Sequence, residues 1–75
     1  MEISVMVDTK GMACPMPIVK AKKAMASLNA GQIMQVLSTD KGAVNDFTAW
    51  VKQTGHELLR HEEDGGVYAF YVRKD

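Results

Sequence analysis

The chain has 75 residues, with nine Lys or Arg balanced by nine Asp or Glu. Apolar residues make up 47% and charged residues 24%, the balance of a soluble chain with one small core, not of a disordered or membrane-spanning one. A neutral chain has no global field for a polyanion, and no apolar run approaches the ~18 residues of a spanning helix, so neither nucleic-acid nor membrane binding is expected.

In chain order, residues 2–8 predict a strand, with Ile3, Val5 and Val7 alternating against Glu2, Ser4 and Asp8. Thr9 to Ala13 form a turn containing Gly11. From Pro15 to about Leu28, the apolar positions Ile18, Ala21, Met25 and Leu28 recur at helical spacing, with Lys20 and Lys23 on the opposite face. Asn29-Ala30-Gly31 supplies a stop, the glycine serving a left-handed cap. Ile33 to Ser38 is short and apolar between turn signals and predicts a strand. Asp40 or a close neighbour then caps a second helix near residues 42–54, on which Ala43, Phe47, Trp50, Val51 and Thr54 share a face and after which Gly55 ends the helix. Two strands follow at about 56–62 and 67–73, joined by the hairpin signal Asp64-Gly65-Gly66.

The order is βαβαββ. Two βα units and a hairpin favour a four-stranded mixed sheet with two helices on one face, an α/β (α+β two-layer) sandwich forming a single domain over residues 1–75. Trp50 and Phe47 read most simply as core, and His56 and His61 as strand residues without a chemical role.

Cys14 is the only cysteine, which rules out an internal disulfide. With an N-terminus that lacks the basic and apolar regions of a signal peptide, it points to a reducing cytoplasm. It stands in Gly11-Met12-Ala13-Cys14-Pro15-Met16-Pro17, between the first strand and the first helix. The unpaired amides and partial positive charge of a helix start lower a thiol pKa from ~8.5 to somewhere within ~3.5–7.5. Pro15 suits the first helical position and Pro17 the first turn, where a missing N–H costs little. A dithiol oxidoreductase would need a second cysteine, and three residues on from Cys14 stands Pro17. A cysteine hydrolase would need a histidine base, and no spacing ties His56 or His61 to Cys14. What remains is a lone nucleophilic thiol that can carry a group covalently and pass it on. On that reading Cys14 is the reacting residue and Gly11, Pro15, Met16 and Pro17 support it.

With those residues in place, the chain resembles the TusA/SirA-like family of small sulfur carriers over nearly its whole length. The hallmark Cys-Pro-x-Pro after a glycine-containing turn is matched by Gly11 and Cys14-Pro15-Met16-Pro17. Gly31-Gln32, Asp40, the helix bearing Trp50 and the Gly55-His56 junction are similar too. The resemblance implies a βαβαββ sandwich whose motif cysteine takes up sulfur as a persulfide or thiosulfonate and relays it to an acceptor protein, without cofactor or metal. The donor would be a cysteine desulfurase, a rhodanese or a DsrE-like protein. Met16 stands where members serving tRNA thiolation often carry glutamate, and Ala13 where they often carry arginine. This leaves sulfur-oxidation, selenium-related and other sulfur-relay branches open.

Other readings accompany this one. Lys20, Lys22 and Lys23 fit a solvated helix face or a basic rim for an acidic partner, in which case Lys20, Lys23 and Asp40 belong to a docking surface. Asp40 fits a helix cap better than a catalytic group. Gly11-Met12-Ala13-Cys14 also matches the opening of copper-ferrying heavy-metal-associated domains. Pro17 replaces the second thiolate that Cu(I) wants, however, and those domains run βαββαβ. A non-enzymatic interaction or regulatory module is the remaining alternative.

Overall fold

The computed structural model describes residues 2–13 and 15–75. The elements follow the predicted order: β1 (Val5–Thr9), α1 (Met16–Ala26), β2 (Ile33–Ser38), α2 (Ala43–Thr54), β3 (Glu57–Asp64) and β4 (Val67–Arg73). They build one mixed sheet in the order β1-β2-β4-β3. β1 and β2 run parallel, and β4 is antiparallel to both β2 and β3.

β1 starts at Val5 instead of at residue 2 because its length is limited by its partner. Val5 lies opposite Met34 and Thr9 opposite Ser38. Upstream of β2, Gly31 has φ +88° and its N–H donates to the Lys74 carbonyl at 2.8 Å, so little backbone is left there for β1. A single bond, from Ser4 N–H to the Ile33 carbonyl at 2.8 Å, continues the pairing. β3 reaches Asp64 and begins after His56, which lies in the link from α2. Its register slips between Leu58 and Arg60, a bulge at Leu59. The Gly65-Gly66 turn has φ +58° and +85°, the pair of positive values a two-residue hairpin of this hand requires.

α1 stops at Ala26 with Ser27 as its cap, short of the predicted Leu28. Tighter bonds close the last turn, from Ser27 N–H to Ala24 and from Leu28 N–H to Met25, both 3.1 Å. The Lys74 ammonium donates to the Met25 and Leu28 carbonyls at 3.0 and 2.6 Å. A cation from the far end of the chain therefore satisfies the helix end, where the backbone carries partial negative charge. Gly31 takes no part in this cap. α2 does end as predicted, with Gly55 at φ +82° donating its N–H to the Val51 carbonyl.

α1 packs on β1 and β2, and α2 on β3 and β4, so both helices cover one face. Between the layers lie Ala21, Met25, Met34, Val36, Phe47, Trp50, Phe70 and Val72, all buried. Phe47 is central: its ring stacks on Phe70 at 4.7 Å and meets the edge of Trp50 at 5.9 Å. Of the predicted face of α2, Ala43, Phe47, Trp50 and Val51 are buried, whereas Thr54 is exposed and its hydroxyl donates to the Trp50 carbonyl. The other face of the sheet carries no helix. There Gln35 Nε2 donates to the Tyr71 hydroxyl, the Arg60 guanidinium lies over the Tyr71 ring, and the ion pairs Arg60–Glu62 and Arg73–Glu57 are solvated. Such exposed pairs stabilise little.

Candidate functional site

The carboxyl ends of β1 and β2 are adjacent, and each ends in a fully buried hydroxyl. A buried hydroxyl must find a partner, and both find one in the local backbone. Thr9 Oγ1–H donates to the Leu37 carbonyl, while Ser38 Oγ accepts from Asp40 N–H at 3.1 Å. These bonds fix the directions in which the two loops leave the sheet.

The first loop is then clasped to the second. Lys10 N–H donates to Asp8 Oδ1 and Met12 N–H to the Thr9 carbonyl. Gly11, at φ +81°, donates its N–H to Thr39 Oγ1 at 2.9 Å. A side chain at this left-handed position would cost about 1–2 kcal/mol, which gives the glycine before the cysteine motif a structural reason. Sequence reasoning missed Thr39, because nothing local marks a partner 28 residues away.

Pro15 is the cap residue of α1, one position earlier than predicted. Its φ of −98° and ψ of 13° are not helical, while its carbonyl accepts the Val19 N–H at 3.1 Å. Pro17 occupies the second helical position, where its missing N–H costs no helical bond, and its ring is buried. Among the described residues no side chain caps this terminus, and no acidic residue stands in its first turn. The partial positive charge of the helix start therefore has no carboxylate of α1 to neutralise it. Cys14 itself lies outside the described residues.

The first turns of α1 are unusually apolar on the outside. Met16 is 43% and Val19 49% exposed. Met16, Lys20 and Lys23 recur at spacings of four and three, so they form one stripe, and all three are exposed. Lys22 falls on a different flank, toward α2. Val19 has no place in the predicted apolar face of Ile18, Ala21, Met25 and Leu28, and no sequence signal marks it as a surface contact. Asp40, half-buried, stands in the second loop, where Oδ1 accepts Gly42 N–H at 3.1 Å and its carbonyl accepts Ala43 N–H. Gly42, the close neighbour, is the cap of α2; Asp40 shapes the approach to it.

These features describe a small α/β sandwich whose one cysteine stands in sequence between its first strand and first helix. The family model described as "Sulfurtransferase TusA" matches residues 5–74. The sulfur carrier protein TusA of Allochromatium vinosum is 45% identical over 67 residues, 89% of this chain and 88% of that protein. YrkI of Bacillus subtilis, by name a candidate sulfur carrier, is 55% identical over 67 residues, 89% of each. The crystal structure of a SirA-like protein from Desulfitobacterium hafniense superposes with a TM-score of 0.82 at 28% identity, covering 92% of this chain and 95% of that one. The chain belongs to the TusA family of sulfur carriers.

Proposed function

We propose that Cys14 accepts a sulfane sulfur from a donor protein and hands it to an acceptor protein in a cytoplasmic sulfur relay. The observation that carries this reading is the Cys-Pro-Met-Pro segment in a family of sulfur carriers, placed in sequence at the start of a helix with no acidic group in its first turn. The Cys14 thiolate attacks the terminal sulfur of a donor persulfide, the new S–S bond forms as the donor's S–S bond breaks, and the donor cysteine departs as thiolate. The acceptor repeats the exchange on the loaded Cys14. Sulfur is relayed without net oxidation, so the step requires no cofactor. A thiosulfonate is the other form the adduct takes when the donor carries one. The donor is a cysteine desulfurase, a rhodanese or a DsrE-like protein.

Gly11, Pro15 and Pro17 set the backbone around the cysteine. Met16 and Val19 offer the apolar contact, and Lys20 and Lys23 the charge, by which partners dock; Asp40 borders the same area. Incubation with a cysteine desulfurase and its substrate should add sulfur to the intact mass, reversibly with reductant, and a protein acceptor should remove it. A chain that gains no sulfur from a desulfurase, a rhodanese or a DsrE-like donor is not a carrier.

The lysine stripe yields its own expectation. Lys20→Glu combined with Lys23→Glu should slow transfer about tenfold or more at low ionic strength and flatten its salt dependence, because steering by surface charge changes association by ~10–10³. The melting temperature should stay close to that of the wild type, since both side chains are solvated. Transfer rates indifferent to the double reversal place the docking surface elsewhere.

A further inference from the structure

An open cleft of about 240 Å³ lies between the C-terminal halves of α1 and α2, and Lys22, Met25, Trp50, His56 and Lys74 are among its walls. Hydrogen-bonding groups at this end of the molecule are unevenly used. The backbone carbonyls are taken: the Lys74 ammonium holds those of Met25 and Leu28, the Thr54 hydroxyl that of Trp50, and Gly55 N–H that of Val51, while the Asp75 carboxylate stands beside Gly55. The donors are not. Trp50 is 5% exposed and its buried indole N–H has no acceptor among the described residues, a state that structures rarely tolerate without a reason. His56 accepts Asp75 N–H on Nδ1 at 3.0 Å, which leaves Nε2 as the N–H of a neutral ring. That ring lies 5.7 Å from the indole. Lys22 is exposed, and among the described residues neither it, Lys74 nor His56 has an ion-pair partner. Met25, Ala26 and the indole supply the apolar wall, beside Thr54.

We propose that this cleft binds a small organic carboxylate, its apolar body against Met25, Ala26 and the indole, and its anionic head on Lys22, His56 Nε2 and the Trp50 indole N–H. Because the indole nitrogen is covered, the head reaches it only when a wall side chain turns aside. The site is separate from the Cys-Pro-Met-Pro segment. Pro15 and Met25 are ten positions apart along α1, or ~15 Å of helix. Its occupancy does not depend on the sulfur-carrier reading.

Trp50 is the only tryptophan, so one indole N–H resonance and one fluorophore report on the cleft. Phenylacetate, at fixed pH and ionic strength, should shift that resonance saturably and bind at least tenfold more tightly than its neutral counterpart phenylacetamide. Lys22→Gln should weaken phenylacetate at least fivefold without changing the melting temperature. Trp50→Phe, which keeps an aromatic wall and removes the N–H together with the reporter, should weaken it further when binding is followed by calorimetry. Cys14→Ser should bind as the wild type does, which separates this site from the relay. An equal response to acid and amide, a shift that never saturates, or Lys22→Gln binding like the wild type each overturns the proposal.

Discussion

Cys14→Ser should abolish the sulfur adduct completely, with no residual transfer to an acceptor. The expectation is all-or-none because the group being carried is bonded to the sulfur itself. A serine hydroxyl stays protonated near neutral pH and cannot form the S–S bond, and the chain holds no other cysteine to take over. Intact mass spectra of wild type and variant after incubation with the same donor read this directly. A thermal melt recorded alongside separates loss of the thiol from loss of the fold. Alkylation of the wild-type thiol should also titrate below the ~8.5 of a model cysteine if the uncapped start of α1 acts on it. An adduct that persists on Cys14→Ser would move the chemistry to another residue and end the carrier reading.

The second large effect concerns the core. Phe47→Ala should destabilise the protein by about 3–5 kcal/mol, the usual cost of emptying a buried phenylalanine site. The residue is fully buried and joins the layers by stacking on Phe70 of the sheet and meeting Trp50 of its own helix edge-on. A chain of this length holds a total of only about 4–11 kcal/mol at ~0.05–0.15 per residue, so the variant should be largely unfolded at moderate temperature. Phe47→Leu keeps most of the volume and should retain a cooperative transition. Urea unfolding followed by the fluorescence of Trp50 tests both. A loss below about 1 kcal/mol for the alanine variant would mean that the two layers are held together elsewhere.

Local signals read well in this chain. The limits of β2, the Gly65-Gly66 hairpin and the Gly55 cap all follow from residues within a few positions of the feature. The order of elements, the two-helix face and the family also follow from the chain alone. What local reading missed was set by distant partners. α1 ends at Ala26 because its last carbonyls are taken by Lys74, 46 and 49 residues away. The loop before the cysteine is held by Thr39, and β1 begins where β2 allows. Val19, which stands off the face formed by Ile18, Ala21, Met25 and Leu28, lies on the surface. His56 looked like an ordinary strand residue and instead lies between the sheet and the cleft at the ends of the helices.

The sheet order has a consequence for how securely the cysteine motif is mounted. β1 is an edge strand of five residues, bonded on one side only to β2, whereas β2 and β4 each have two neighbours. Elements with few partners open at lower free energy than the whole molecule unfolds. The backbone amides of β1 should therefore exchange with solvent sooner than those of β2 and β4. The segment proposed to meet a donor and an acceptor thus follows an edge strand, while β2 and β4 stay closed behind it.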